Sequence, residues 1–312
     1  MNDLSVIDEQ LLEKVVALKS FIGNTPLFPI TNLFQKENVK IFAKLEWMQL
    51  GGSVKARPAY NIILEAIKNG DLTGDKELLD ASSGNTGIAY ACIAAALNIP
   101  VTIVIPENAS SERKSLLKAY GANLVFTSKF DGTDGAQQKA KALYSEHSEK
   151  YYYADQYNNE ANWQAHYHTT AQEILYQTKS TVTHFVAGLG TTGTFVGTSR
   201  GLLELNPTIH FISLQPETAL HGLEGWKHLE TAHVPGIYDN DIADINLTVS
   251  TEEAYHLIKK TAKMEGLILS PSAAANLAGA IRVAKSINQG VVVTVLPDDG
   301  SKYSQVFNQI IA

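Results

Sequence analysis

Short apolar runs rich in β-branched residues alternate with segments of helical period along most of the chain. Helical patterns lie near residues 111–120, 133–147, 192–205, 251–265 and 272–287. The strand candidates between them are 101–105, 123–126, 151–153, 182–187, 210–214 and 290–296. Strands of a parallel sheet are buried on both faces and read as continuous apolar runs. The pattern therefore predicts an α/β fold with two domains, each a mostly parallel sheet covered by helices.

The division between the two domains is expected within the polar stretch 154–162, which separates two regular elements. We predict an N-terminal domain of residues 1–157 and a C-terminal domain of residues 158–312. Roughly the first 45 residues are candidates for packing on the other domain. Residues 215–248 lack a regular period, and a loop of that length within a compact domain is often functional.

Composition and charge exclude several kinds of partner. The chain has 25 Lys and Arg against 32 Asp and Glu, and its cations are not clustered, so binding to nucleic acid is not expected. The apolar run 88–97 is shorter than the ~20 residues that cross a bilayer, so no membrane partner is expected. A single cysteine, Cys92, allows no internal disulfide and favours the cytoplasm. His166 and His168 are spaced wrongly for a zinc site, so no metal is predicted.

The segment 81–87, which reads ASSGNTG, stands before a helical pattern that begins near Ile88. The first N–H groups of a helix have no partners within it and carry a partial positive charge. With the nearby hydroxyls they form a site of carboxylate or phosphate size. A capping loop of small residues explains the same segment equally well.

A second small-residue segment, AGLGTTGT at 187–194, lies between a strand and a helix. Its amides and threonine hydroxyls suit a phosphate group. It also contains the G-x-G-x-x-G pattern of nicotinamide-dinucleotide sites, for which Glu217 would be a poor match to the required acid. Close packing of the helix on the strand is a third explanation.

Lys55 follows a Gly-Gly turn and stands at the start of a helical pattern. The positive end of the helix dipole disfavours the charged form of a lysine there. A neutral amine is the form in which lysine acts as a nucleophile toward an aldehyde. An ordinary solvated lysine is the alternative.

Taken together, these segments resemble the fold-type II pyridoxal-phosphate (PLP) enzymes, specifically the cysteine synthases and nearest their B branch. The resemblance covers nearly the whole chain in the order of the family. It rests on GNTPL at 23–27, KLE at 44–46, GSVK at 52–55, SGNTG at 83–87, PEN at 106–108, ER at 112–113, YGA at 120–122, GTTGT at 190–194, LQPE at 214–217 and VPGI at 234–237.

The resemblance implies a tryptophan synthase β-like fold, a role for each site residue and PLP as the cofactor. Lys55 would bond covalently to PLP and then move the Cα proton of the substrate. The cofactor-binding residues would be Lys55, Asn85 at the 3′-oxygen, Gly190, Thr191, Thr192, Gly193 and Thr194 at the phosphate, and Ser272 at the pyridine nitrogen. The substrate-binding residues would be Ser82, Ser83, Gly84, Thr86 and Gln156 at the carboxylate, and Lys227 at a leaving phosphate. A solvated lysine on a loop is the alternative for Lys227.

The implied activity is β-replacement on an activated L-serine, O-acetylserine or O-phosphoserine, by a sulfur nucleophile to give L-cysteine. A homodimer with small-molecule substrates is the implied assembly. The chain departs from the family at Ala56 and within 270–274, where it reads SPSAA, which leaves the substrate open. The alternatives are a cystathionine β-synthase-like or other reaction on serine derivatives, an NAD-linked oxidoreductase using glycines 188–193, and a binding module without activity.

Overall fold

The computed structural model describes residues 8–82 and 84–311 and divides the chain into two compact units. The first unit is formed by residues 1–23 and 55–162, and the second by residues 24–54 and 163–312. Each unit thus gathers segments that are far apart in sequence. The predicted domains 1–157 and 158–312 stay a prediction, which separate expression of the two pieces would test.

The secondary structure alternates strands and helices, as the sequence predicts. The helices of the first unit are α1 (Glu9–Ala17), α2 (Ala56–Lys68), α3 (Asn85–Leu97), α4 (Ser111–Ala119) and α5 (Gly132–Glu146), and α6 (Glu160–His168) crosses the boundary at 162 and 163. Those of the second unit are α7 (Thr170–Gln177), α8 (Gly193–Leu205), α9 (Thr251–Glu265), α10 (Pro271–Ser286) and α11 (Ser304–Ile311). The strands are β1 (Leu27–Ile30), β2 (Val39–Leu45), β3 (Glu77–Ala81), β4 (Val101–Pro106), β5 (Asn123–Thr127), β6 (Tyr151–Tyr153), β7 (His184–Gly188), β8 (His210–Pro216), β9 (Ile245–Val249) and β10 (Gly290–Leu296).

The first unit contains a four-stranded parallel sheet in the order β5-β4-β3-β6. Every residue of β4 is buried, as expected for a central parallel strand. Helix α3 is rich in alanine and almost wholly buried, and it ends at Asn98 in the left-handed conformation (φ 58°) that commonly stops helices. The loop after β3 and the start of α3 therefore lie at the carboxyl end of this inner strand.

The second unit is built on a six-stranded sheet in the order β1-β2-β10-β7-β8-β9, in which β1 is antiparallel and the other strands are parallel. Successive side chains of a strand point to opposite faces. Along β10, Val292 and Leu296 accordingly enter the core beneath α9 and α10, whereas Val293 and Val295 enter the core beneath α7 and α8. Both faces are covered, which explains why this strand reads as an unbroken apolar run.

The predicted fold class is confirmed, and the structure adds four strands that the hydrophobic pattern did not single out, namely β1, β2, β3 and β9. Strands β1 and β2 form an antiparallel hairpin, and β9 lies inside the stretch 215–248 that lacks a regular period. Strand β9 is short and mostly exposed at the edge of its sheet, so it carries little apolar signal. Over the described residues, none of the helices has the length and apolar character needed to cross a membrane.

Candidate active site

The phosphate-sized loop of the second unit joins the end of β7 to the start of α8. Its glycines are required by close neighbours: a Cβ on Gly190 would overlap the carbonyl oxygen of Gly225, and a Cβ on Gly188 would overlap the ring of Trp226. The amide of Lys227 donates to the carbonyl of Leu189 at 2.8 Å. The irregular segment after β8 thus packs directly on the loop, which sequence patterns gave no means to foresee.

The threonines of this loop present hydroxyls at the N-terminus of α8. Thr192 caps the helix with φ 70°, a strained conformation for a β-branched residue. Its Oγ1 is buried and has no hydrogen-bond partner in the described part of the chain. An unsatisfied buried hydroxyl beside the first N–H groups of a 13-residue helix is what an anion site requires.

Thr194 is held by a residue that the sequence analysis considered only as a metal ligand. The Nε2 of His166 lies 3.2 Å from Oγ1 of Thr194, and its Nδ1 lies 2.9 Å from Oγ1 of Thr170. If Nε2 carries the proton, the hydroxyl of Thr194 is free to donate outward to an anion. His166 is therefore a positioning residue for the loop; it is fully buried in α6, and no local sequence pattern signals its contact with Thr194.

Helix α10, which comes later in the sequence than this loop, supplies further polar residues. The side chain of Asn276 accepts from the amide of Gly188 at 2.7 Å and donates to the carbonyl of Val295 at 2.8 Å. Ser272 is buried at the first turn, 3.3 Å from the hydroxyl of the N-cap residue Ser270. The departures from the family pattern at 273 and 274 are alanines that are fully buried in the core.

In the first unit, the loop after β3 is organised around the hydroxyl of Ser82. This oxygen accepts from the amide of Gly87 at 2.9 Å and from the amide of Gly84 at 3.3 Å. Both the capping role and an anion site agree with this geometry, since the hydroxyl keeps its proton to donate. Thr86 is buried in the first turn of α3, Asn85 is its first residue, and Ser83 lies outside the described residues.

Gln156 is brought to this same loop, as the sequence analysis expects. It is buried, and its Nε2 donates to the carbonyl of Ala81 at 2.9 Å. Asn162 in turn donates to the carbonyl of Gln156 at 2.6 Å. Gln156 is therefore tied to the last residue of β3, directly before the loop that starts at Ser82.

Lys55 stands at the N-cap of α2 and is partly buried, and Ala56 behind it is fully buried. The chain leading to Lys55 is fixed within the second unit. The amide of Val54 donates to the carbonyl of Pro297 at 2.8 Å, and Nζ of Lys302 donates to the carbonyl of Gly52 at 2.9 Å. A lysine nucleophile needs such a fixed attachment if its amine is to reach one position repeatedly.

Each unit, taken by itself, contains polar groups that suit one part of PLP. The second unit offers an anion site with an unsatisfied buried threonine hydroxyl, which suits the phosphate, and a buried serine hydroxyl at Ser272. The first unit offers an amine, an amide side chain and the N–H groups of a helix N-terminus. The described residues that could hold the cofactor are Lys55, Asn85, Gly190, Thr191, Thr192, Gly193, Thr194 and Ser272.

Comparisons with known proteins agree with this chemistry. Residues 18–298 match the family described as "Pyridoxal-phosphate dependent enzyme". The chain is 44% identical to the cysteine synthase of Aquifex aeolicus over 95% of its own length and 93% of that protein, and 38% identical to cysteine synthase B of Salmonella typhimurium over 92% and 93%. The structure of the O-acetylserine dependent cystathionine β-synthase from Helicobacter pylori is similar with a TM-score of 0.87 and 34% identity, over 92% of this chain and 96% of that one.

The family match decides between PLP and the nicotinamide alternative in favour of PLP. The glycine pattern at 188–193 is explained by the close approach of Gly225 and Trp226, and Glu217 is exposed. The chain belongs to the pyridoxal-phosphate dependent enzymes, and within them to the cysteine synthases.

Proposed function

We propose that this chain makes L-cysteine by PLP-dependent β-replacement, in which a sulfur nucleophile displaces the β-substituent of an activated L-serine. The observation that carries the proposal is the similarity to cysteine synthases over more than nine-tenths of both chains. It is supported by Lys55 at the start of a helix and by a loop of small and hydroxyl residues at a helix N-terminus in each unit.

The proposed reaction divides its tasks among groups of residues. Bound PLP supplies the electron sink that makes the Cα–H bond of the substrate acidic. Lys55 holds the cofactor covalently at rest and then carries the proton of Cα. Ser82, Ser83, Gly84, Thr86 and Gln156 bind the substrate carboxylate. The loop from Gly190 to Thr194 holds the cofactor phosphate, Asn85 the 3′-oxygen, and Ser272 the ring nitrogen.

A test of the function uses the purified protein reconstituted with PLP. We expect an absorbance band from the lysine-bound cofactor, and L-cysteine production from sulfide with O-acetyl-L-serine or O-phospho-L-serine, followed by a colorimetric cysteine assay. A protein that binds PLP but forms cysteine from neither donor would contradict the proposal.

A second candidate function is cystathionine formation, with homocysteine in place of sulfide. The observation that favours it is the similarity to the Helicobacter pylori structure named above. The two functions share the donor half of the reaction and differ only in the nucleophile. Parallel assays with sulfide and homocysteine, at equal concentrations of one donor, separate them through the ratio of kcat/KM values.

Lys227 is the proposed reader of a donor phosphate. Its backbone is anchored to Leu189 beside the phosphate-sized loop, and it is partly buried. An ammonium group paired with a phosphate adds a charge-assisted contact that an acetyl group does not offer. We expect Lys227→Ala to lower kcat/KM for O-phosphoserine by about tenfold and to change that for O-acetylserine by less than about twofold. Lys227→Arg is the charge-keeping control, and equal losses with both donors would remove Lys227 from donor selection.

The assembly and the compartment are also proposals. We propose a homodimer, which the resemblance to the cysteine synthases supports and which sedimentation or light scattering would test. We propose the cytoplasm as the compartment. This is supported by the cysteine count, since the sequence has one cysteine, the buried Cys92, and one cysteine allows no internal disulfide.

A further inference from the structure

Asp80 is a buried carboxyl group that the proposed reaction does not use. It is the last but one residue of β3, is 1% exposed, and stands directly before the carboxylate-binding loop. On β3 its side chain points away from the face that Leu79 and Ala81 bury, because neighbouring residues of a strand alternate. Its register partner on the neighbouring strand β4 is the apolar Ile103.

The two oxygens of Asp80 bind the two segments that the proposed function assigns to the substrate carboxylate. Oδ1 accepts from the amide of Ala81 at 2.8 Å, and Oδ2 accepts from the amide of Gln156 at 3.4 Å. Gln156 closes the ring by donating from Nε2 to the carbonyl of Ala81 at 2.9 Å. The carboxyl group of Asp80 therefore holds both Gln156 and the residue directly before the loop.

The surroundings place this carboxyl group between two charge states near neutral pH. The pKa of Asp80 is raised to about 7, chiefly by burial and further by the carboxylate of Asp155, against the lowering effect of the amides of Ala81 and Gln156 and of the Tyr90 hydroxyl. The other titratable groups that interact with Asp80 are Tyr90 of α3, Tyr152 and Tyr153 of β6, and Tyr157 after β6. Burial raises the pKa of each of these tyrosines, so their hydroxyls stay neutral.

We propose that Asp80 is a positioning residue that couples binding of the substrate's α-carboxylate to uptake of a proton. The inference deepens the proposed function and rests on it. When Asp80 is neutral, the loop receives the substrate anion without opposition. When Asp80 is ionised, it places a second negative charge two residues before the loop, and the two anions repel each other in a buried setting.

The sign of the pH effect follows from these charges. Below neutral pH Asp80 carries its proton and amino-acid affinity is highest. As the pH rises through the titration of Asp80, binding must either capture a proton or accept the repulsion, so affinity falls. We expect the dissociation constant to rise by about tenfold more in the wild type than in a variant that cannot ionise, between pH 6 and pH 8.5.

The experiment titrates PLP-loaded protein with L-alanine, which has the α-carboxylate but no leaving group, and follows the cofactor absorbance at each pH. Asp80→Asn is the central variant: its Oδ1 still accepts from Ala81, whereas the 3.4 Å bond to Gln156 is lost and the interaction with the Tyr90 hydroxyl changes. Asp80→Glu restores an ionisable group and is expected to restore part of the pH dependence. Titration of the substrate amine affects all variants alike and cancels in the comparison.

Asp155→Asn is the matched control, because it removes a neighbouring carboxylate without touching the bonds of Asp80. Asp155 has φ 44°, a conformation that asparagine tolerates well. The pH dependence should persist in Asp155→Asn but move to lower pH, because the carboxylate of Asp155 raises the pKa of Asp80 and its removal lowers that pKa.

The outcomes separate this inference from the proposed function. If the wild type and Asp80→Asn have the same ratio of dissociation constants between pH 6 and pH 8.5, Asp80 is a purely structural residue and the coupling is wrong. If L-alanine perturbs the cofactor spectrum at no pH, the proposed function and the coupling both fall. A decline in affinity that Asp80→Asn removes and Asp80→Glu partly returns supports the coupling.

Discussion

Lys55→Ala is expected to abolish the absorbance band of the lysine-bound cofactor and to reduce cysteine formation by about 10³-fold or more. The variant removes both the covalent attachment of PLP and the base that carries the Cα proton. It leaves the fold intact, because Lys55 is only partly buried and caps α2 through its backbone. Absorbance spectra and initial rates of reconstituted protein measure the two losses.

Lys55→Arg is the matched control for charge, since arginine keeps the positive group but does not bond covalently to the cofactor. It should be as inactive as Lys55→Ala. Lys118→Ala, at an exposed position near the end of α4, should keep both the band and the rate. A Lys55→Ala protein that retains the band would place the covalent bond at another lysine.

Gly190→Ala is expected to have the second largest effect, on both PLP affinity and stability. The added Cβ would overlap the carbonyl oxygen of Gly225, which is backbone and has no rotamer with which to move aside. Forcing the two segments apart costs about 1–3 kcal/mol of unfolding free energy. It also displaces the N–H groups and threonine hydroxyls at the start of α8, so we expect the dissociation constant for PLP to rise by at least about tenfold.

The control for this variant is Gly74→Ala, where the added Cβ approaches only a side-chain oxygen of Asp8 at 3.3 Å. Thermal unfolding with and without PLP distinguishes the two effects, because a ligand stabilises only the form that binds it. In the wild type and in Gly74→Ala, added PLP should raise Tm. If PLP raises Tm equally in Gly190→Ala, the loop does not hold the cofactor phosphate.

The fold was predictable because most strands of both sheets are buried on their two faces. Strands such as β4 and β10 can read in only one way, as short continuous apolar runs between helices. The hairpin of β1 and β2 and the edge strand β9 carry weaker patterns, because an edge or an exposed face allows polar residues. Their assignment depends on pairing partners far along the chain.

Candidate site residues could be picked out from the sequence where they cluster in one loop. They could not be picked out where their position depends on contacts between residues far apart in the sequence. Lys55, the 82–87 loop and the 190–194 loop are visible because small residues, hydroxyls and an amine cluster at helix starts. Their roles stay predictions. The contacts of His166 with Thr194 and of Asp80 with Gln156 join residues far apart in sequence, and no local pattern announces them.

The pairing of β2 with β10 has a consequence for how the protein is made. Val39 is the register partner of Gly290, so β2 of the early hairpin cannot complete its pairing until β10 has been made. During synthesis the hydrogen-bonding edge of β2 emerges from the ribosome long before its neighbour exists. The last strand translated therefore completes the six-stranded sheet, and a nascent chain halted before it displays an open edge that chaperones can recognise.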